Sequence, residues 1–163
     1  IGKNLIFDLD KTNANQLDDL DDELLETLSA DTEDAFFEQW AQGRQGRFLG
    51  SNFAVQGAAG FGASVDIYEM AMPVAARKTR GVSVKHFMFD NLTGYLHKVA
   101  YSKHIGGVLT PVVSELSNYV ISDGVPVARR IYRAVNKAKK FQIQVNQVAL
   151  GSQAADGLFS TGK

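Results

Sequence analysis

Six basic side chains lie within twelve residues of one another, and together they could bind an anionic partner. They are Arg129, Arg130, Arg133, Lys137, Lys139 and Lys140. Steps of three and four residues along this group predict a basic helix over 126–140 with most of the charges on one face. Such a stripe can neutralise the phosphates of a nucleic acid or an acidic protein surface. The alternative interpretation is a solvated helix face with lysines favoured at its C-terminal end.

Two carboxylates, Asp8 and Asp10, follow the apolar run Leu5-Ile6-Phe7 and precede Thr12. This pattern resembles the first motif of the haloacid-dehalogenase-like phosphohydrolases, in which Asp-x-Asp-x-Thr follows an apolar strand. The resemblance covers eight residues and implies that Asp8 is a nucleophile and Asp10 an acid and base, with Mg²⁺ nearby. The family's later motifs are not matched. The alternative interpretation is therefore a strand and a charged turn, and we predict that neither residue is catalytic.

Metal and cofactor sites are not predicted. His86 and His97 could face each other across a hairpin and bind a metal with Asp90, but their spacing matches no known metal motif. Half-exposed hairpin histidines are the alternative interpretation. The chain has no cysteine, which excludes disulfides, thiolate metal sites and cysteine nucleophiles. The glycines of residues 43–63 lack the Lys-Ser/Thr that follows in a phosphate-binding loop.

Charge is strongly segregated along the chain. Residues 1–42 contain twelve acidic and two basic residues, a net charge of −10, whereas residues 43–163 contain fifteen basic and six acidic residues, a net charge of +9. The asymmetry predicts that an acidic arm meets a basic surface, either on a partner or on a neighbouring copy. The principal acidic residues of this arm are Asp18, Asp19, Asp21, Asp22, Glu23 and Glu26.

Periodic apolar residues predict the elements that carry these charges. Leucines at positions 17, 20, 24 and 28 predict a helix over about 14–29, and a second helix is expected over 32–42 after a cap at Asp31 or Thr32. Alternating patterns predict a hairpin of 81–89 with 95–102 and a strand at 141–145. Two more helices are predicted, one from Thr110-Pro111 to Asp123-Gly124 and the basic helix after Pro126. The second helix is expected to bury Phe36, Phe37 and Trp40.

The predicted fold class is α+β, with an acidic N-terminal helical arm followed by a mainly antiparallel sheet with two packed helices. The boundaries are 1–42 for the arm, 43–63 for a glycine-rich hinge or loop, 64–150 for the α+β core and 151–163 for a flexible tail. No apolar run approaches the roughly 20 residues of a membrane span.

Three functions remain open from the sequence. The first is a structural or assembly subunit of a virion-, tail- or tube-like particle, in which the acidic arm meets the basic face of copies of itself or of sister subunits. The second is a nucleic-acid-binding protein that uses the basic helix 126–140. The third is a Mg²⁺-dependent phosphohydrolase that uses Asp8 and Asp10.

Overall fold

A computed structural model describes residues 14–57, 62–73 and 81–146, with side chains from residue 22 onward. Two helices precede a seven-stranded sheet in the described chain. The helices are α1 (Ala14–Ala30) and α2 (Glu33–Ala41). The strands are β1 (Arg47–Gln56), β2 (Gly62–Pro73), β3 (Val82–Asp90), β4 (Leu96–Ile105), β5 (Val108–Ser122), β6 (Val125–Val135) and β7 (Ala138–Gln144).

The sheet is an antiparallel meander in which every strand pairs with the next one along the chain, in the order β1 to β7. Two-residue turns join three of its hairpins, at Gly106-Gly107, Asp123-Gly124 and Asn136-Lys137. All six turn residues have positive φ, as a type I′ turn requires. Four of the seven strands, β4 to β7, are therefore joined by two-residue turns. The outer strands β1 and β7 leave one edge each without a partner among the described residues.

Both helices lie on one face of this sheet. Thr32 caps α2 by accepting a hydrogen bond from the Ala35 amide at 3.2 Å. Phe36 of α2 is buried, and its ring lies 5.0 Å from Phe87 and 5.1 Å from Phe89. These contacts join α2 to the core, which extends across β2 to β6 and includes Met70, Met72, Leu96, Val99, Val112, Leu116, Ala128 and Val135.

The α+β class and its antiparallel sheet are confirmed, as are both N-terminal helices, the hairpin formed by β3 and β4, and the strand at 141–145. The two later helices are wrong. The segment after Thr110 is β5, and 126–140 forms β6, a turn and the start of β7. The helix-like spacing of Leu116 and Tyr119 arises because Asn118, with φ of 58°, interrupts the alternation of β5. The sequence contains a strand irregularity where we expected a helical turn.

Two smaller expectations also differ from the structure. The loop prediction for 43–63 is wrong over Arg47–Gln56, which is β1. Phe37 and Trp40 are about half exposed, so only Phe36 of the three expected α2 residues is buried. The expected tail at 151–163 lies outside the described residues. Neither of the two described helices has the length and apolar character needed to cross a membrane.

Candidate functional site

A buried network of charges joins α1 to the sheet. Its acidic members come from α1 and the bend that follows it, whereas its basic members come from three different strands. The acids are Glu23, Glu26 and Asp31, and the bases are Lys85, Lys103 and Arg133. Three negative and three positive formal charges cancel. The attraction within such pairs and their hydrogen bonds offset the desolvation penalty of the buried charges.

Arg133 lies at the centre of this network, and its side chain is fully buried. Its Nη1 donates to Asp31 Oδ2 at 2.5 Å, and its Nη2 donates to Glu23 Oε2 at 2.7 Å and to Glu26 Oε2 at 3.0 Å. Nε also donates to Glu23 Oε2, at 2.9 Å, which makes a two-donor contact with that carboxylate. One planar guanidinium thus holds all three carboxylates of the helical segment.

Two neutral hydroxyl groups accept further hydrogen bonds from Arg133. Ser114 Oγ accepts from Arg133 Nη1 at 2.8 Å and donates to Asp31 Oδ2 at 2.6 Å. The Tyr101 hydroxyl accepts from Arg133 Nη2 at 2.8 Å. The ring of Tyr101 also lies 4.1 Å from Lys85 Nζ, which places a cation over an aromatic face.

Lys85 and Lys103, on the neighbouring strands β3 and β4, bind the carboxylates that Arg133 also binds. Lys85 Nζ on β3 donates to Asp31 Oδ1 at 2.5 Å and to Glu26 Oε1 at 3.4 Å. Lys103 on β4 contacts Glu23 and donates to Glu26 Oε2 at 3.0 Å. The side chain of Lys85 is fully buried and that of Lys103 is 25% exposed, so the network opens to solvent at its Lys103 end.

The electrostatics of the network favour its charged forms. Burial opposes the ionisation of Glu26, but Lys85, Lys103 and Arg133 outweigh it and lower the pKa of this carboxyl to about 2. Burial also opposes the charge on Arg133, but Asp31 leads the neighbours that raise its pKa. Burial and the charge of Asp31 raise the pKa of the Tyr101 hydroxyl, which stays neutral. A network of satisfied ion pairs fixes the position of a helix and provides no activated nucleophile or general base.

The structure separates the six residues of the predicted basic stripe. Arg133 is internal, as described above. Arg129 Nε donates to the Val145 carbonyl at 3.0 Å, and Arg130 Nη2 donates to Gln142 Oε1 at 3.1 Å. Both arginines therefore tie β6 to the chain at β7. The remaining three residues are exposed and have no ion pair within the described part of the chain: Lys137, Lys139 and Lys140.

The acidic residues of the predicted arm differ in their surroundings. Glu23 and Glu26 contact basic residues of the same chain, and Asp22 is half-buried. The side chains of Asp18, Asp19 and Asp21 lie outside the described residues, as do Asp8 and Asp10 of the phosphohydrolase-like motif. An acidic face does dock on basic residues, but this docking is internal to one chain.

His86 and His97 do not face each other across the β3–β4 hairpin, and both are partly exposed, as the alternative interpretation expected. His86 lies opposite Ala100 in the β3–β4 register, and its Nε2 is 3.1 Å from Glu69 Oε2 on β2. His97 lies at a register shift, between Leu96, which pairs with Phe89, and Lys98, which pairs with Met88. The described residues hold no group of three or more His, Asp or Glu side chains placed to bind a metal.

Comparisons with known proteins give no family assignment. No protein-family model matches the chain, and no match was found among curated proteins or solved structures. What the structure itself establishes is an α+β architecture of two helices and seven strands, with an internal ion network, over the described residues.

Five members of the network were not identified from the sequence: Asp31 as an ion-pair partner, Lys85, Lys103, Tyr101 and Ser114. Lys85 carried a usable signal, because it stands in phase with the buried residues Phe87 and Phe89 of β3. A lysine in the apolar phase of a strand needs an acidic partner on the covering layer. In this chain that layer is the acidic helix.

Proposed function

We propose that the protein is a structural or assembly subunit that associates with copies of itself or with sister subunits through charged surfaces. The observation that supports this proposal is the charge left after the internal network is formed. Three acids of residues 1–42 and three bases of residues 43–163 neutralise one another, which reduces the segregation from −10 and +9 to −7 and +6. Most of the asymmetry therefore remains available to a partner.

The exposed lysines of the β6–β7 hairpin support a contact at that place. Lys137 occupies the second position of a type I′ turn with φ of 63°, where glycine is preferred. A side chain in the left-handed region costs about 1–2 kcal/mol. A lysine at a strained hairpin tip, two and three residues from Lys139 and Lys140, is consistent with a binding role for its charge.

The contact is made by side chains, since the edge itself is poorly suited to strand addition. Lysines on an edge strand discourage edge-to-edge pairing, and the β6–β7 ladder has a register shift between Arg133 and Ala134. An acidic surface can approach Lys137, Lys139 and Lys140 without forming a continuous sheet. Because exposed ion pairs are screened, this association weakens with salt.

The experiment reverses the three charges together. Lys137→Glu/Lys139→Glu/Lys140→Glu is compared with the matched triple arginine variant, which keeps the charges, and circular dichroism checks both folds. Light scattering across protein concentrations, at about 50 mM and about 500 mM salt, measures the mass of the particle. We expect the wild type and the arginine variant to associate at low salt and the glutamate variant to associate less. A wild-type mass of one chain under all conditions, with no sister subunit recovered, refutes the proposal.

The same lysines could bind nucleic-acid phosphates, so nucleic acid is included as a separate arm of the test. Single-stranded and double-stranded DNA and RNA of random sequence are titrated at both salt concentrations. Salt-sensitive binding that the glutamate variant loses, without concentration-dependent self-association of the free protein, overturns the assembly proposal in favour of a nucleic-acid-binding protein.

A further inference from the structure

The exposed surface of α2 and the start of β1 carries three large aromatic side chains. Phe37, Trp40 and Phe48 are 54%, 47% and 53% exposed, respectively. Their rings extend the buried core outward, since Phe37 lies 5.3 Å from Phe36, and Phe48 lies 5.1 Å from Tyr68. A contiguous aromatic surface of this kind is typical of a protein-protein contact.

The Trp40 ring has a fixed position on this surface. A Cβ atom at Gly46 would lie 2.7 Å from Trp40 Cζ3, so the ring rests directly on the Gly46 backbone. Trp40 also lies 6.5 Å from Tyr68 in an edge-on arrangement. An aromatic side chain that is held in place before binding loses little conformational entropy on association.

Charged residues accompany the aromatic residues. Asp34 is exposed near the start of α2 and Glu38 between Phe37 and Trp40, whereas Arg44 and Arg47 are exposed just beyond the C-terminal end of the helix. Arg47 also pairs with Glu69 at 2.9 Å. The amide of Arg44 donates to the Gln39 carbonyl at 3.0 Å, which keeps this residue against the last turn of the helix. The surface thus carries its acidic residues on α2 and its basic residues beyond the C-terminal end of the helix.

We propose that this surface is a two-fold interface between two copies of the chain, with the two α2 helices antiparallel. A two-fold contact brings each patch against itself, so a patch with acids on the helix and a base beyond the helix end complements its own copy. Glu38 of each copy then meets Arg44 of the other, and the two Trp40 rings lie close to the axis. This arrangement of charges is what selects a second copy as the occupant.

The interface is distinct from the basic hairpin and extends the proposed function by a second contact surface. The apolar centre of the α2 surface persists at high salt, where contacts of exposed lysines are screened. Failure of the two ideas can therefore be distinguished by salt and by variant. Loss of association only in the lysine variant argues against the α2 interface, whereas loss only in α2 variants argues against the hairpin contact.

Trp40 is the only tryptophan of the chain, so its fluorescence reports directly on this surface. At about 500 mM salt, where exposed ion pairs are screened, we expect emission to shift to shorter wavelength as protein concentration rises, together with an increase in mass. Phe37→Ser should raise the dissociation constant about tenfold or more. Leu92→Ser is the matched control, because Leu92 is 92% exposed on the β3–β4 turn, and it should leave association unchanged.

A charge swap tests the antiparallel arrangement at about 50 mM salt, where rim charges are least screened. Glu38→Arg alone and Arg44→Glu alone each create like-charge contacts across the axis and should weaken the dimer. The double variant exchanges the charges and should restore it, while circular dichroism verifies each fold. Trp40 emission and mass that do not depend on concentration overturn the proposal. Single variants that weaken the dimer without recovery in the double variant also overturn it.

Discussion

Replacement of Arg133 by methionine tests the central role of the ion network. Methionine keeps much of the length and apolar volume of the side chain but removes every donor. Three carboxylates, from Glu23, Glu26 and Asp31, would lose their shared cation, and the hydroxyls of Ser114 and Tyr101 would lose a partner. Lys85 and Lys103 would remain against three acids.

The expected loss is large because the broken pairs are buried. Removal of one partner from a buried ion pair typically destabilises a protein by about 3–5 kcal/mol. With a urea m-value of about 2 kcal/mol per molar, this loss lowers the unfolding midpoint by about 2 M. The total stability of a domain is about 5–15 kcal/mol, so this loss is a large fraction of it. Because the broken pairs join α1 to the sheet, we expect the helices to detach before the sheet unfolds.

Urea unfolding followed by Trp40 fluorescence and by circular dichroism measures this effect, since Trp40 reports on α2 and dichroism on all elements. Arg129→Met is the matched control. It is the same substitution on the same strand, but the Arg129 side chain donates to the carbonyls of Val145 and Asn146 and has no ion pair within the described residues, so about 1 kcal/mol is expected. A midpoint for Arg133→Met equal to that of the control would refute the idea that the network holds the helices to the sheet.

Three further predictions follow from individual contacts. Glu26 has a pKa lowered from 4.5 to about 2, so it contributes stability above about pH 4.5 that is lost as pH falls toward 2. This loss should reach about 3 kcal/mol in urea unfolding at acid pH, and Glu26→Gln should remove that part of the pH dependence. Thr32→Ala should lower the free energy of unfolding by about 1 kcal/mol, whereas Thr32→Ser should preserve the cap and the stability. Lys137→Gly should raise the melting temperature, because it relieves about 1 kcal/mol of left-handed strain, and a decrease would contradict the turn geometry.

Local patterns were sufficient to predict the helices and one hairpin. The apolar stripe of α1 and the cap at Thr32 act within a few residues of one another, so the sequence alone indicates both helices. Asp123-Gly124 was interpreted as a helix end, although a two-residue Asp-Gly turn is also a strong hairpin signal. Giving weight to that signal, and to Gly106-Gly107, would have divided the segment into β4, β5 and β6.

The ion network was beyond this kind of reasoning. Arg133 resembles the surface arginines beside it in the sequence, and its burial depends on Asp31, which precedes it by 102 residues. Pairing at such a distance follows from the order of strands in the sheet, which periodicity does not specify. The segregation of charge between residues 1–42 and 43–163 did indicate that acidic helices meet basic residues. It could not show whether this contact forms within one chain or between two chains.

The long separation between Asp31 and Arg133 has a consequence for synthesis on the ribosome. The helical segment leaves the ribosome before the sheet, and its central cation is added 102 residues after Asp31. At about 5–20 residues per second, the acidic helices exist for about 5–20 seconds before β6 is complete. During that time the carboxylates of Glu23, Glu26 and Asp31 lack the guanidinium that binds all three of them in the folded protein. A late hairpin of the meander therefore brings the cation that secures α1 and α2 to the sheet.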